Sequence, residues 1–138
     1  MNIRKLLIPF ALLGLASMPA AAQTVWDGVY TAEQAERGKD LYLAECVLCH
    51  GATLLGAEDG PAVTGDGFRA AWDGRTADQL VERIRTTMPA DGPGFLSRSQ
   101  STDITAYLFS DNAFPTGEAE MKSSLATLKK IVIKAEKE

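Results

Sequence analysis

Apolar residues recur at helical spacing in three segments of this chain, and no segment shows the alternation typical of a half-buried strand. The segments are residues 31–45, 76–87 and 97–112. Each opens with a Thr or Ser that is followed three residues later by Gln, which is the pattern of a capping box at a helix N-terminus. The pattern therefore predicts three capped helices.

Two weaker helical patterns accompany these three segments. Residues 68–72 are compatible with a short helix, because an Asp-Gly pair ends them. After the break at residues 114–117, the spacing of Met121, Leu125 and Leu128 favours an amphipathic tail helix, with a frayed, lysine-rich end. The predicted fold class is all-α, with four to five short helices.

Gly38 lies inside the first predicted helix. A glycine at such a position costs about 1 kcal/mol relative to alanine. Gly38, Tyr42 and Cys46 are spaced four residues apart, so they lie on one helix face. We expect a second helix to approach this face closely at Gly38.

Residues 51–67 contain five glycines, one proline and few apolar residues, which predicts a long loop. A loop of this length is unusual in a compact domain and suggests wrapping around a ligand. Pro61 lies within the loop and keeps its carbonyl. That carbonyl is a candidate acceptor for a ring nitrogen of His50, although an ordinary turn proline is the alternative.

The first 22 residues have the features of a secretory signal. Arg4 and Lys5 charge the start, residues 6–15 form an apolar run, and residues 20–22 offer an Ala-x-Ala cleavage site. The apolar run is shorter than the roughly 20 residues of a transmembrane helix, although an uncleaved anchor stays open. We expect a cleaved leader at residues 1–22 and a periplasmic protein without a membrane span.

The remaining chain divides into a domain at residues 23–116 and a lysine-bearing extension at residues 117–138. Together they carry 12 Lys and Arg against 18 Asp and Glu. This acidic balance argues against nucleic acid, because nucleic acid binding depends on basic side chains that neutralise phosphates. It is compatible with a basic docking face on a protein partner, and equally with a solvated acidic surface.

Cys46, Cys49 and His50 form a C-x-x-C-H motif, the signature of c-type haem attachment. Each thiol can add to one haem vinyl group, and the histidine that follows can supply a nitrogen ligand to the iron. The motif contains every cysteine and histidine of the chain. We therefore predict one covalently bound haem c, with His50 as the proximal ligand.

Three alternatives to haem use the motif less completely. A disulfide across two intervening residues closes a very small loop and stabilises little. A thioredoxin-like dithiol calls for a βαβ pattern that is not apparent here. A structural zinc site would be one ligand short. Haem c is the interpretation that uses all three residues of the motif.

A haem iron bound by His50 needs a sixth ligand or an open position for chemistry. With no second histidine, the candidates after leader removal are Met88 and Met121. Met88 precedes Pro89 in a loop just after a capped helix, whereas Met121 occupies a helical-period position that suits packing. We predict Met88 as the distal ligand, and His/Met ligation suits electron transfer.

At these positions the chain resembles the class I cytochrome c family. The matching residues, in order, are Gly38, Tyr42, Cys46, Cys49, His50, Pro61, Met88 and Tyr107. The resemblance implies the cytochrome c fold, with short helices and long loops wrapped around one haem. It also implies that the first and last helices cross at Gly38 between Tyr42 and Tyr107, and that Pro61 orients His50.

The same resemblance gives a role to Trp72, which would donate its indole N–H to a haem propionate. Plain core packing is the alternative for this side chain. Arg75 or Arg85 could pair with a propionate through a bidentate contact, although solvated arginines on a helix face are more common.

Residues 75–89 and 96–115 further resemble the small cytochromes associated with quinoprotein (PQQ-dependent) alcohol dehydrogenases. The C-x-x-C-H motif with one methionine ligand in an exported chain predicts an electron carrier without catalytic residues of its own. The resemblance implies a dehydrogenase as its donor, and the acceptor would be an oxidase or another cytochrome. Two alternatives remain open. One is a haem enzyme or gas sensor with a displaceable sixth ligand, and the other is a permanent cytochrome subunit of a dehydrogenase complex.

Overall fold

The computed structural model describes residues 22–137 of the chain, and the predicted leader lies outside them except for Ala22. Six helices and two short strands are present in this part: β1 (Gln23–Thr24), α1 (Ala32–Glu45), α2 (Val47–His50), α3 (Gly65–Trp72), α4 (Ala77–Thr87), α5 (Arg98–Asp111), α6 (Leu125–Leu128) and β2 (Ile131–Val132). A 3₁₀ turn at Val25–Asp27 follows β1. No helix within residues 22–137 is long and apolar enough to span a membrane.

The three predicted helix starts are confirmed, and two of them have reciprocal caps. Ser97 accepts from the N–H of Gln100 at 3.2 Å, and its own N–H donates to the Gln100 side chain at 2.9 Å. At α4, the N–H of Thr76 donates to the Gln79 side chain at 3.2 Å. These local bonds satisfy N–H groups that have no partner within a helix.

The cap of α1 differs from this pattern. Thr31 accepts from the N–H of Gln34 at 3.2 Å, as predicted. The Gln34 side chain does not return to Thr31. It is buried against residues 117–137, which we call the C-terminal segment. There its amide donates to the carbonyl of Met121 at 2.9 Å and accepts from the N–H of Met121 at 2.8 Å.

The crossing of α1 and α5 organises the core, and it confirms the role predicted for Gly38. A Cβ on Gly38 would lie 1.8 Å from the carbonyl oxygen of Asp103, so only glycine lets the two backbones approach this closely. The rings of Tyr42 and Tyr107 pack beside the crossing, with centroids 5.4 Å apart. The first and last long helices therefore meet as the family resemblance implied.

The C-terminal segment does not form the tail helix that the apolar spacing predicts. Its helix is the single turn α6, and Met121 lies outside it. The physical reason is that the backbone N–H and carbonyl of Met121 are both bonded to Gln34, which withdraws them from helical pairing. The predicted fraying is also wrong near Ile133, whose side chain is fully buried.

Instead, the C-terminal segment joins two distant parts of the chain. Strand β2 pairs with β1 in parallel, with Gln23 opposite Ile131 and Thr24 opposite Val132. Two further bonds connect Ile133 to the corner before α4: its N–H donates to the carbonyl of Arg75 at 2.7 Å, and its carbonyl accepts from the N–H of Gly74 at 2.8 Å. This corner follows Trp72, at the end of α3.

Candidate functional site

The two cysteines and the histidine share one turn after α1. The N–H of Cys46 donates to the carbonyl of Tyr42 at 2.8 Å, as the last bond of α1. The N–H of His50 then donates to the carbonyl of Cys46 at 3.0 Å in α2. Since residues three and four apart are neighbours on a helix, the three side chains of the motif project to one side.

A cavity of about 610 Å³ lies beside this turn. Ligand sites commonly enclose roughly 300–1,000 Å³ with mostly apolar walls. Helices α3, α4 and α5 provide apolar walls here, through Phe68, Leu80, Ile84, Ile104 and Leu108. All six residues selected from the sequence also line the cavity, namely Cys46, Cys49, His50, Pro61, Trp72 and Met88.

The loop after the motif holds the histidine ring. The Nδ1 atom of His50 lies 2.8 Å from the carbonyl oxygen of Pro61. The carbonyl can only accept, so the geometry assigns the proton of a neutral ring to Nδ1 and leaves Nε2 as the nitrogen available to a metal. The hydroxyl of Tyr42 donates to the carbonyl of Gly51 at 2.7 Å and ties the start of the loop to α1.

The two candidate methionines lie in different environments. Met88 is the C-cap residue of α4, where Pro89 follows, and its side chain lines the cavity. Met121 is 3% exposed in the core and does not line the cavity. Of the two methionines among the described residues, Met88 is therefore the one that lines the cavity together with His50.

Residues 33–108 match the family described as cytochrome c oxidase, cbb3-type, subunit III. This match covers more than half of the 138 residues. The chain belongs to this family. As a c-type cytochrome it has covalently bound haem c, and it carries electrons rather than acting as an enzyme.

A solved structure that resembles this cytochrome is the sulfane dehydrogenase SoxCD from Paracoccus pantotrophus. The two chains superpose with a TM-score of 0.55 at 17% identity, over 78% of this chain and 61% of that chain. This likeness shows the fold, and it supports the predicted all-α cytochrome c fold. The cytochrome spans about three-fifths of the SoxCD chain. No match was found among curated proteins.

The donor set around the cavity fits haem c. Two thiols that are not joined in a disulfide are available for thioether bonds. The Nε2 atom of His50 is available to a metal, because the Pro61 carbonyl contacts the other ring nitrogen. Burial, together with Glu45 and Cys49, raises the pKa of the Cys46 thiol to about 11. A redox-active dithiol has a lowered thiol pKa, so this environment argues against a thioredoxin-like role.

The arginines of α4 take different positions, and Arg85 is a helix-face arginine, the commoner outcome expected for it. Arg85 binds Glu82 at 2.8 Å on the same helix, whereas Arg83, which the sequence reasoning missed, lines the cavity. The sequence contains a signal for this position, because Arg83 follows Leu80 by three residues on α4 and therefore lies on the same helix face. The Arg75 guanidinium lies 5.4 Å from the centre of the Trp72 ring, which places a cation against the indole.

Proposed function

We propose that this cytochrome is an exported, single-haem electron carrier with His50 and Met88 as its axial ligands. The observation that carries the proposal is that both side chains line one apolar cavity together with Cys46 and Cys49. Bound haem c supplies an iron that changes by one electron between its ferrous and ferric states. Cys46 and Cys49, the only cysteines of the chain, would hold the haem through thioether bonds.

Each remaining residue has a definite task in this proposal. The Pro61 carbonyl orients the His50 ring and increases the basicity of its other nitrogen. Met88 closes the sixth position, and a thioether at that position raises the reduction potential. The apolar walls exclude water, and the Trp72 N–H or Arg83 would bind a propionate at the cavity.

The partners we propose are redox proteins of the periplasm. The signal-like residues 1–22 favour export, and the narrower sequence resemblance favours a quinoprotein alcohol dehydrogenase as the donor. An oxidase or a second cytochrome would be the acceptor, in keeping with a family whose description is that of an oxidase subunit. No step other than electron transfer is required of this chain.

Substitution of the two methionines tests the ligand assignment. In protein matured with haem, Met88→Ala should remove the methionine-to-iron absorbance band, lower the reduction potential and allow rapid binding of carbon monoxide to the ferrous form. Met121→Ala is the matched control and should keep the band and resist carbon monoxide. The opposite result would assign the ligand to Met121. Tight binding of carbon monoxide by the unchanged ferrous protein would favour a haem enzyme or gas sensor.

A second candidate function is that of a permanent cytochrome subunit. It is favoured by the family description, which names an oxidase subunit, and by the likeness to a chain of a dehydrogenase. Affinity purification of the tagged cytochrome from its own cells, in high salt, would distinguish the two functions. A stoichiometric enzyme partner retained in high salt would favour the subunit, and recovery of the cytochrome alone would favour the carrier.

A further inference from the structure

Two large apolar side chains are exposed at the turn that carries Cys46, Cys49 and His50 and at the loop that follows it. We call this turn the attachment turn. Leu48 is 89% exposed and Leu55 is 67% exposed. Neither lines the cavity, so haem held there leaves both in contact with water. Leu55 lies next to the turn because the N–H of Gly56 donates to the carbonyl of His50 at 2.9 Å. Apolar side chains exposed on one turn and on the loop bonded to it are candidates for an interaction site.

Three carboxylates, Glu45, Glu58 and Asp59, lie within four residues of these two leucines in the sequence. Glu45 precedes the motif and lines the cavity, as does Asp59. Glu58 and Asp59 occupy a turn between the paired residues Ala57 and Gly60. That turn lies against the attachment turn, because a Cβ on Gly60 would be only 2.6 Å from the carbonyl oxygen of Cys49.

No basic side chain from the same part of the sequence neutralises these carboxylates. Residues 40–68 contain five Asp and Glu and no Lys or Arg. Within residues 22–137, no ion pair involves Glu45, Glu58 or Asp59. We call the surface formed by Leu48, Leu55, Glu45, Glu58 and Asp59 the acidic leucine patch.

We propose that the acidic leucine patch docks a redox protein whose facing surface has an apolar centre bordered by Lys and Arg. The inference rests on the proposed carrier function and adds the chemistry of the partner to it. Specific interfaces combine an apolar centre with a polar rim, and opposite charges on the two rims accelerate encounter. A second copy of this chain is a poor occupant, because its own carboxylates would face those of the first.

The location of the patch also suits electron transfer. Leu48 lies between the two cysteines proposed to attach the haem, so a partner seated on Leu48 contacts the turn that carries both attachment points. One electron passes from the reduced cytochrome to the partner, which becomes reduced by one electron. No proton or atom is exchanged, so contact and steering are all that the surface needs to provide.

Stopped-flow kinetics of the reduced holoprotein can test the proposal. The acceptor would be a strongly basic, ferric c-type cytochrome of higher reduction potential, and the second-order rate would be measured as a function of ionic strength. We expect the double change Glu58→Gln, Asp59→Asn to lower the low-salt rate about 3–10-fold and to flatten its salt dependence. Leu48→Ser should lower the rate about 2–5-fold at every salt concentration, because contact rather than charge is lost.

Matched changes on the C-terminal segment provide the controls. The pair Glu118→Gln, Glu136→Gln removes the same charge from exposed positions, and Leu125→Ser removes a leucine that is 37% exposed. Equal rates for patch and control variants, with normal spectra and potentials, would overturn the docking proposal and leave the carrier function standing. Dimerisation that Leu48→Ser abolishes would assign the patch to a second copy and would also overturn it. A holoprotein without reversible one-electron chemistry would instead contradict the proposed function.

Discussion

The two sides of the haem cavity are held in place in different ways. On the attachment side, the hydrogen bonds from Tyr42 to Gly51 and between His50 and Pro61 join residues nine and eleven positions apart. The Met88 side depends on α4, whose C-cap residue is Met88. At the start of α4, Thr76 pairs with Val132 of the C-terminal segment in an isolated antiparallel bridge. The attachment side is therefore local, whereas the Met88 side is positioned by residues that are distant in sequence.

This difference predicts unequal resistance to perturbation. The attachment turn keeps its geometry as long as its own loop is closed and α1 stays packed on α5. A helix end positioned by distant segments opens when any of those segments detaches. We expect the proposed Met88–iron bond to be lost before the His50 side is disturbed, and three changes of decreasing effect test this comparison.

The largest effect is expected where both sides depend on one contact, at Gly38. In Gly38→Ala the new methyl group would lie 1.8 Å from the Asp103 carbonyl oxygen, so α1 and α5 must separate. We expect a loss of about 3 kcal/mol in the free energy of unfolding, the upper end of the usual range, measured by urea titration. Gly92→Ala is the control: no atom lies within 4 Å of its Cβ and it does not line the cavity, so the change should be neutral or stabilising by up to about 1 kcal/mol. A stable Gly38→Ala protein would contradict the close crossing.

An intermediate effect is expected for Ile133→Ala, which weakens the segment that holds the corner before α4. Ile133 is fully buried, so the change should cost about 3 kcal/mol. In urea, the methionine-to-iron band should disappear before the helical circular dichroism signal. Leu54→Ala is the matched control, because Leu54 is 1% exposed on the attachment side and its loss should lower both transitions together. Identical behaviour of the two variants would contradict the comparison.

The smallest effect concerns Glu82, which links α4 to the start of α5. Hydrogen bonds from Arg85, and also from Arg98, lower the pKa of Glu82 to about 2. Because the folded-state pKa lies below the unfolded value of roughly 4.3, this stabilisation is complete above that pH and is lost as the pH falls toward 2. Glu82→Gln should therefore cost about 1 kcal/mol at pH 7, a modest value because the pair is partly exposed.

Urea titrations of Glu82→Gln at pH 7 and pH 3 check this prediction. The difference from the unchanged protein should shrink at the lower pH. Glu118→Gln removes an exposed glutamate from the C-terminal segment and should have no effect at either pH. A pH-independent difference for Glu82→Gln would assign its effect to packing rather than to charge.

The elements that could be predicted from the sequence are those whose causes are local. The helix starts at Thr76 and Ser97 follow from side chains three residues away. The Pro61 carbonyl near His50 follows from a loop that begins directly after the motif, and the contact at Gly38 follows from the cost of glycine in a helix. For each of these, the partner lies nearby in the chain or the residue type itself implies close approach.

The errors occurred where a distant partner displaced a local preference. The apolar spacing around Met121 favours a helix, but the buried Gln34 side chain bonds both backbone groups of Met121 from 87 residues away. Arg83 is a different case, because its spacing from Leu80 on α4 already pointed to the cavity, while Arg85 pairs locally with Glu82.

The covalent spacing of Cys46, Cys49 and His50 was sufficient to indicate a haem site, because attachment chemistry depends on residues within one turn. The tertiary structure was needed to bring Met88 to the same cavity and to bury Met121 elsewhere. It was also needed to join the C-terminal segment to the N-terminal arm, where the Trp26 indole donates to the carbonyl of Lys134 across 108 residues. Local patterns carry no record of such pairings, since their free energy arises only when distant surfaces are buried together.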